Sequence, residues 1–392
     1  MEEVLSERAE SLGVTILRGN GFTGIAEQDE DSVTVQVGDS QTFRAKWLVG
    51  CDGGRSAVRK AAGFEFVGTE PAVTGYAVKC ELDHPERLDV GFNLTKTGMY
   101  ISMPGAAMHL VDFDGGAFHR TQEITQEHLQ GVLDRVTGKT DVKITKVHLA
   151  STWTDRAKQT TKYRKGRVLV AGDAAHIHSP LGAQGLNAGL GDAMNLGWKL
   201  AATVRQEADS AEEARDLALL DTYESERHPI AEWVLEWTRA QVLTIQPDLY
   251  GSALQKIMRD VISTTDGTNL FVDRVWGLSQ RYVLGDGQAY AHQLVGSSAP
   301  DFEFVDGSRV GPKMEEGRGL LIDFDDTVAL KELVVKGIYG RRVDYLGTDV
   351  KDRLGLRALI VRPDGIVAWV AEDKAEPDMD AAMAALQRWF SC

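Results

Sequence analysis

The stretch Val168-Leu169-Val170-Ala171-Gly172-Asp173-Ala174-Ala175-His176 decides how this chain is read. Its unbroken apolar run, Val168 to Ala171, predicts a strand buried on both faces, as in a parallel sheet. Gly172 then allows close approach of backbone to a ligand, and the Asp173 carboxylate can accept hydrogen bonds from the hydroxyls of a sugar or sugar alcohol. Just downstream, Pro180-Leu181-Gly182-Ala183-Gln184-Gly185-Leu186-Asn187 opens a long predicted helix carrying Leu186, Leu190, Met194, Leu196 and Leu200. The free N–H groups and positive dipole end of that helix face the space above the strand and suit an anionic, planar group. A Gly-Asp pair after a strand is by itself commonly a plain strand-to-turn junction; the glycine-rich loop and helix that follow make it a candidate site.

Further upstream, Trp47-Leu48-Val49-Gly50-Cys51 reads as a buried strand, and Cys51-Asp52-Gly53-Gly54-Arg55-Ser56-Ala57-Val58-Arg59 repeats the order of strand end, tight turn and helix start. Asp-Gly-Gly alone also fits an ordinary turn. In this company it suits a pyrophosphate, with Arg55 or Arg59 as counter-charge. Ahead of it, Val4, Leu5, Ala9 and Leu12 recur at helical spacing, Gly13 is placed to end that helix, and Val14 to Leu17 and Val33 to Val37 read as strands.

From about Thr74 to Leu149 the chain alternates short strands and glycine turns, among them Tyr76 to Glu81 and Met99 to Met103, which predicts an antiparallel sheet inserted into an α/β domain. Residues 221–283 read as mostly helical, Ala208 to Leu220 as an exposed acidic helix, and Gly285-Asp286-Gly287 with Gly296-Ser297-Ser298-Ala299-Pro300 as a linker. Beyond it lie strands Gly319 to Asp323, Arg342 to Leu346, Ala358 to Val361 and Ile366 to Val370, and a final amphipathic helix from about Met379. The domains are therefore expected at 1–73, 74–150, 151–290 and 291–392. His176 and His178 are read as hydrogen-bonded structural residues, and Trp198, Trp233 and Trp237 as core.

Composition narrows the function. A chain of 392 residues with 43% hydrophobic content can bury more than one core. The net charge of −15 is spread along the sequence, which argues against nucleic acid or an anionic membrane as partner. Cys51, Cys80 and Cys392 form no C-x-x-C pair, so neither a disulfide scaffold nor a metal site is expected and a cytoplasmic setting fits.

Taken together these motifs resemble the group A flavoprotein monooxygenases, the family of para-hydroxybenzoate hydroxylase, phenol hydroxylase, polyketide hydroxylases and rifampicin monooxygenase. The resemblance covers nearly the whole chain. It implies an FAD-binding Rossmann-like α/β domain, an inserted antiparallel-sheet substrate domain and a C-terminal thioredoxin-like domain, the last lacking a redox cysteine pair. Asp52-Gly53, with Arg55, would match the family's "DG" motif, Gly172-Asp173 the "GD" motif that holds the ribityl chain, and Pro180, Gly182, Gly185, Leu186 and Asn187 the loop beside the flavin ring. A helix start there would stabilise the negative charge of a reduced isoalloxazine. Asp192-Ala193-x-Asn195-Leu196-Gly197-Trp198-Lys199-Leu200 continues the family pattern. Tyr76, Phe92, Tyr100, Met103 and His109 lie in the sheet that would cover the flavin and are candidates to line the substrate pocket, with ordinary sheet packing as the other reading.

The implied activity is hydroxylation of a small aromatic substrate, phenolic or polyketide-like, by a flavin hydroperoxide formed with NADPH or NADH and O2. No catalytic side chain is singled out, and a homodimer is left open. One departure is expected to matter. The strand, G-x-G-x-x-G turn and helix that open this family are all expected to be missing, no glycine triplet of that spacing being read ahead of Asp52, so Met1 is taken as an internal methionine of a longer frame and FAD is expected to be held weakly unless another chain supplies that part. The competing readings are an FAD-deficient homologue that binds a ligand or partner without turnover, and another flavin oxidoreductase on the same fold.

Overall fold

The computed structural model describes residues 1–103, 105, 107–118, 123–209, 216–285, 292–335, 337, 339 and 341–391. Asp286 and Gly287 of the expected linker, residues 210–215 of the expected acidic helix and Cys392 lie outside these. The chain starts with α1 (Glu2–Ser11) and a three-stranded antiparallel sheet of β1 (Phe22–Gln28), β2 (Val33–Val37) and β3 (Gln41–Ala45). The helical stripe read at Val4, Leu5 and Leu12 forms a helix but stays exposed, and α1 buries none of its residues. Residues 14–17 form no strand, contrary to the sequence reading: Val14, Ile16 and Leu17 are exposed and have no neighbouring strand to pair with.

Next come β4 (Leu48–Gly50), α2 (Ala57–Ala61) and β5 (Phe66–Thr69). The inserted domain comprises β6 (Thr74–Leu82), β7 (Gly91–Leu94), β8 (Gly98–Ser102), β9 (Met108–Asp112), α3 (Gln126–Thr137) and β10 (Ile144–Thr154). Its antiparallel sheet runs β10-β6-β9-β8-β7. Alternation along β6 sends Tyr76 and Val78 to the face covered by α3, where they meet Leu129, Val132, Leu133 and Val136. Thr125 caps α3 by accepting from the His128 N–H, and Gly138 ends it in the left-handed conformation.

The α/β domain then resumes through β11 (Ala157–Thr160), β12 (Arg164–Lys165), β13 (Val168–Val170) and β14 (His176–Ile177) to α4 (Gly185–Asp209) and α5 (Ala218–Thr244). Strand β13 is completely buried and runs parallel to β4, with Val168 opposite Leu48 and Val170 opposite Gly50. It packs in one core with Val58, Tyr163, Leu196 and Tyr223. The acidic segment read as one exposed helix is split, since α5 begins inside it and buries Leu219 and Leu220. Helices α6 (Leu249–Ile262) and α7 (Thr265–Trp276) follow.

The C-terminal domain holds β15 (Gly319–Asp323), α8 (Val328–Val335), β16 (Val343–Gly347), β17 (Leu356–Val361), β18 (Val367–Glu372) and α9 (Met379–Phe390). The sheet order is β16-β15-β17-β18, parallel between β15 and β16 and antiparallel elsewhere. That βαβ-ββα order is the thioredoxin-like layout expected from the sequence. Two cores flank this sheet, one under α8 and α9 and one on the opposite face around Phe302, Phe304 and Leu359.

Candidate active site

Two parallel strands end side by side, and both chemical motifs sit at their carboxyl ends, where open α/β sheets bind ligands. Gly172 turns the chain with φ +58°, a conformation that L side chains rarely adopt. A Cβ added there would touch Gly189 of α4 at 3.7 Å, so the turn lies directly against the helix. Asp173 is exposed. Its carboxylate makes no hydrogen bond or ion pair among the described residues and can accept from hydroxyls of a ligand.

The loop into α4 is strained in a way that suits a ligand. Gly182 has φ +80° and Ala183, a residue with a Cβ, φ +54°. Helix geometry leaves the N–H groups of Gly185, Leu186 and Asn187 without intrahelical acceptors, while Ala188 N–H donates to Gln184 at 2.9 Å. The Gln184 side chain is buried; its amide nitrogen donates to the Arg274 carbonyl of α7 at 2.9 Å and its Oε1 is an orphaned acceptor. Pro180 is exposed at the mouth of the loop. The open N–H groups at the start of α4 and the Asp173 carboxylate thus both lie by the Gly172 turn at the strand ends.

The Asp52 turn is built differently. Its carboxylate folds back on the chain, accepting from the Ser56 hydroxyl and from Ala57 and Val58 N–H at 2.6 and 3.1 Å. These bonds hold the Asp52 carboxyl below its usual range against the upward push of burial. Asp52 therefore shapes the turn at Gly53 rather than offering a free carboxylate. Arg59 is buried and bridges the two motifs, donating to the carbonyls of Gly54 at 2.9 Å and Ala174 at 3.0 Å. Of the two candidate counter-charges, Arg55 is the exposed one. Contrary to the expectation that no such triplet precedes Asp52, the G-x-G-x-x-G spacing itself does occur, at Gly19-Asn20-Gly21-Phe22-Thr23-Gly24. It leads into β1, which pairs antiparallel with β2, so no helix start follows and no phosphate cradle forms.

Beneath the Gly172 turn lies a buried network that the motifs did not reveal. Asp192 on α4 accepts from Gly172 N–H at 2.8 Å and from Arg227 Nε at 2.7 Å, and it meets His176 Nε2 at 2.8 Å. His176 and Arg227 hold the Asp192 carboxyl below the ordinary range although burial alone would raise it. His178 is pinned to the Ser179 carbonyl at 2.7 Å, and burial pushes its imidazole down. One turn further along α4, Asn195 and Lys199 join Glu226 of α5 and Arg362 and Asp364 of the C-terminal domain. Burial drives Lys199 down to about 7 against the pull of Glu226. Glu226 would be raised by burial, but Arg362, Lys199 and Asn195 bring it to about 2. A signal was present in the sequence: Asp192, Asn195 and Lys199 share a helical stripe with Ala188 and Leu196.

The inserted sheet turns one face toward the Pro180–Asn187 loop. Leu181 of that loop packs with Val73, Met99 and Val111. Along the same face Ala77, His109, Ile101 and Phe92 stand opposite one another on β6, β9, β8 and β7. Tyr76 and Tyr100 point the other way, into the α3 core, where Tyr76 meets His128 at 3.0 Å and the Tyr100 hydroxyl is 3.4 Å from Asp89. They are separated from the loop by the thickness of the sheet, because the side-chain period is two. Met103 opens onto a cleft with Val78, Leu88 and Met108 on that same α3 side. Phe92, at 75% exposed, lies on the loop-facing side.

The chain matches the model of the FAD-binding domain family over residues 1–238 and that of the aromatic-ring hydroxylase C-terminal domain over residues 292–392. It is 50% identical to a protein described as a monooxygenase from Claviceps purpurea, over 98% of this chain and 73% of that one. It is 36% identical to a rifampicin monooxygenase from Streptomyces venezuelae, over 99% of this chain and 78% of the relative. Among solved structures, an anhydrotetracycline hydroxylase from Streptomyces rimosus superposes with a TM-score of 0.84 at 35% identity, covering 100% of this chain and 79% of that one. No described helix is long and apolar enough to cross a membrane.

Proposed function

The chain belongs to the FAD-dependent aromatic-ring hydroxylases, and from that premise we propose that it hydroxylates a phenolic or polyketide-like substrate, consuming NADPH or NADH and O2. The observation that carries this reading is the convergence, at the ends of two parallel strands, of the free Asp173 carboxylate, the Gly172 turn and the open N–H groups of α4.

These residues fit a flavin nucleotide by their chemistry. Asp173 would accept from ribityl hydroxyls, Gly182, Gly185, Leu186 and Asn187 would offer backbone to the ring, and Arg55 beside Gly53 would balance phosphate charge. FAD, when bound, supplies the hydride acceptance and oxygen activation that no protein side chain provides. The protein's own task is to bind, orient and exclude water. The sheet face bearing Ala77, Ile101, His109 and Phe92 is the proposed wall for the aromatic ring, in place of Tyr76 and Tyr100 on the far side.

Flavin retention is expected to be weak. Among the described residues β4 has a neighbour on one side only, and Leu186, Leu190 and Met194 of α4 are exposed. The test is the visible absorption spectrum of the purified chain with and without added FAD, followed by NAD(P)H oxidation with a panel of phenols and polyketides. Flavin uptake with substrate-stimulated NAD(P)H oxidation supports the proposal. A chain that takes up no FAD at any concentration refutes it and favours the FAD-deficient reading.

A further inference from the structure

The fold gives the C-terminal domain a physical connection to the candidate flavin turn. On α5 two adjacent buried residues point in different directions. Arg227 reaches Asp192 at 2.7 Å, the Ala188 carbonyl at 2.9 Å and the Tyr282 hydroxyl at 3.0 Å. Glu226 instead accepts a two-pronged pair of bonds from Arg362, each 2.8 Å, at the β17–β18 turn of the C-terminal domain. Tyr282 sits between the two guanidinium groups, its ring 5.8 Å from each. Gly191 keeps the route open, because a Cβ there would lie 2.9 Å from the Arg227 guanidinium.

We infer that Asp192 is the positioning residue of the Gly172–Asp173 turn, and that the C-terminal domain holds it in place through Arg362, Glu226, Arg227 and Tyr282. The Asp192 carboxylate accepts the Gly172 N–H, so that amide faces inward and the next residue, Asp173, is presented outward. His176 and Arg227 share the same carboxylate and fix its plane. A buried carboxylate held by three donors has one low-energy orientation, and the turn it grips inherits that order. The C-terminal domain, without a redox cysteine pair, thereby acts as a buttress for a site it does not touch. This rests on the flavin reading for the ligand, but the relay itself does not.

The test uses the full chain, with amide exchange of the peptide spanning residues 171–176 and FAD affinity from flavin fluorescence. Asp192→Asn keeps the shape and removes the charge; it is expected to speed exchange at the turn about tenfold and weaken FAD by about the same factor. Arg227→Lys, which keeps the charge but loses the fork, is a second probe should Asp192→Asn fail to fold. The paired variant Glu226→Gln/Arg362→Met removes both charges of the Glu226–Arg362 pair, leaving Asp364 with Trp198 and Asn195, and is expected to speed exchange at the turn about threefold, although neither residue touches it. Arg353→Met, which loses the pairs with Asp325 and Asp349 and a bond to the Phe324 carbonyl, all within the C-terminal domain, should leave the turn unchanged. Unchanged exchange at residues 171–176 in the paired variant, with faster exchange in β17 and β18, overturns the buttress. Faster exchange in Asp192→Asn with wild-type FAD affinity makes Asp192 merely structural and overturns its positioning role. Wild-type chain that takes up no FAD refutes the flavin reading, and the exchange data still decide the relay.

Discussion

The two faces of α4 are built in opposite senses. The face turned inward carries Asp192, Asn195, Lys199 and Thr203, all buried, while Leu186, Leu190 and Met194 on the other are 61%, 38% and 56% exposed. Amphipathic helices of globular proteins commonly do the reverse. The inward face tolerates its charges because each finds a partner: Asp192 with Arg227 and His176, Lys199 with Glu226, and Glu226 with Arg362. Such a network does little for net stability compared with an apolar core, yet it costs a great deal to break singly. The outward face is an exposed apolar stripe, a surface that a further protein element can cover. Polar residues thus specify where α4 docks, and apolar residues mark where something else can.

The largest expected effect is on the inward face. Glu226→Ala leaves Lys199 buried without a carboxylate and Arg362 with Asp364 alone, and should cost about 3–5 kcal/mol, read by urea denaturation. A cost under about 1 kcal/mol would mean that the network is solvated in solution and that the contrast between the faces is lost.

Acid should find the same weak point. Glu226 has a depressed carboxyl, so its contribution is complete above the ordinary carboxylate range and is lost as pH falls from about 4.3 toward about 2. Roughly 3 kcal/mol should disappear across that window, and Glu226→Gln should flatten the loss. Denaturation midpoints followed from pH 5 to 2 in both proteins decide this; parallel curves would remove Glu226 from the account.

Gly172→Ala forces an L residue to a φ of +58° and should cost about 1–2 kcal/mol in thermal unfolding, with a larger proportional loss of FAD uptake than of stability. Equal retention of FAD would show that the turn can relax without harm to the site.

The smallest effect is expected outside. Leu190→Ser and Met194→Ser should change stability by less than about 0.5 kcal/mol while reducing binding of a hydrophobic dye. A loss above about 1 kcal/mol would mean that this face is covered in solution, which sharpens the comparison by pointing to self-association.

Much of the fold was legible because its signals are local. The apolar run of β13, the alternation of β6 and β8, and the strands and last helix of the C-terminal domain lie close to where their patterns place them. Residues 14–17 misled because strand propensity is fulfilled only beside a partner strand. At the site, Gly172 and Asp173 have the geometry their motif suggested, whereas Asp52 spends its carboxylate on its own turn. Tyr76 and Tyr100 were candidates by chemistry, but a strand's period of two sent them to the face under α3.

The sequence by itself determined the family, the three-part architecture and the two turns at the strand ends, because glycine conformation, helix starts and apolar runs are properties of neighbouring residues. Only the tertiary structure decided which carboxylates are free, which face of the inserted sheet meets the loop and how the C-terminal domain reaches α4. Those depend on pairs far apart in the chain, such as Asp192 with Arg227 and Glu226 with Arg362, whose charges are affordable in the interior only once packing has brought each against the other.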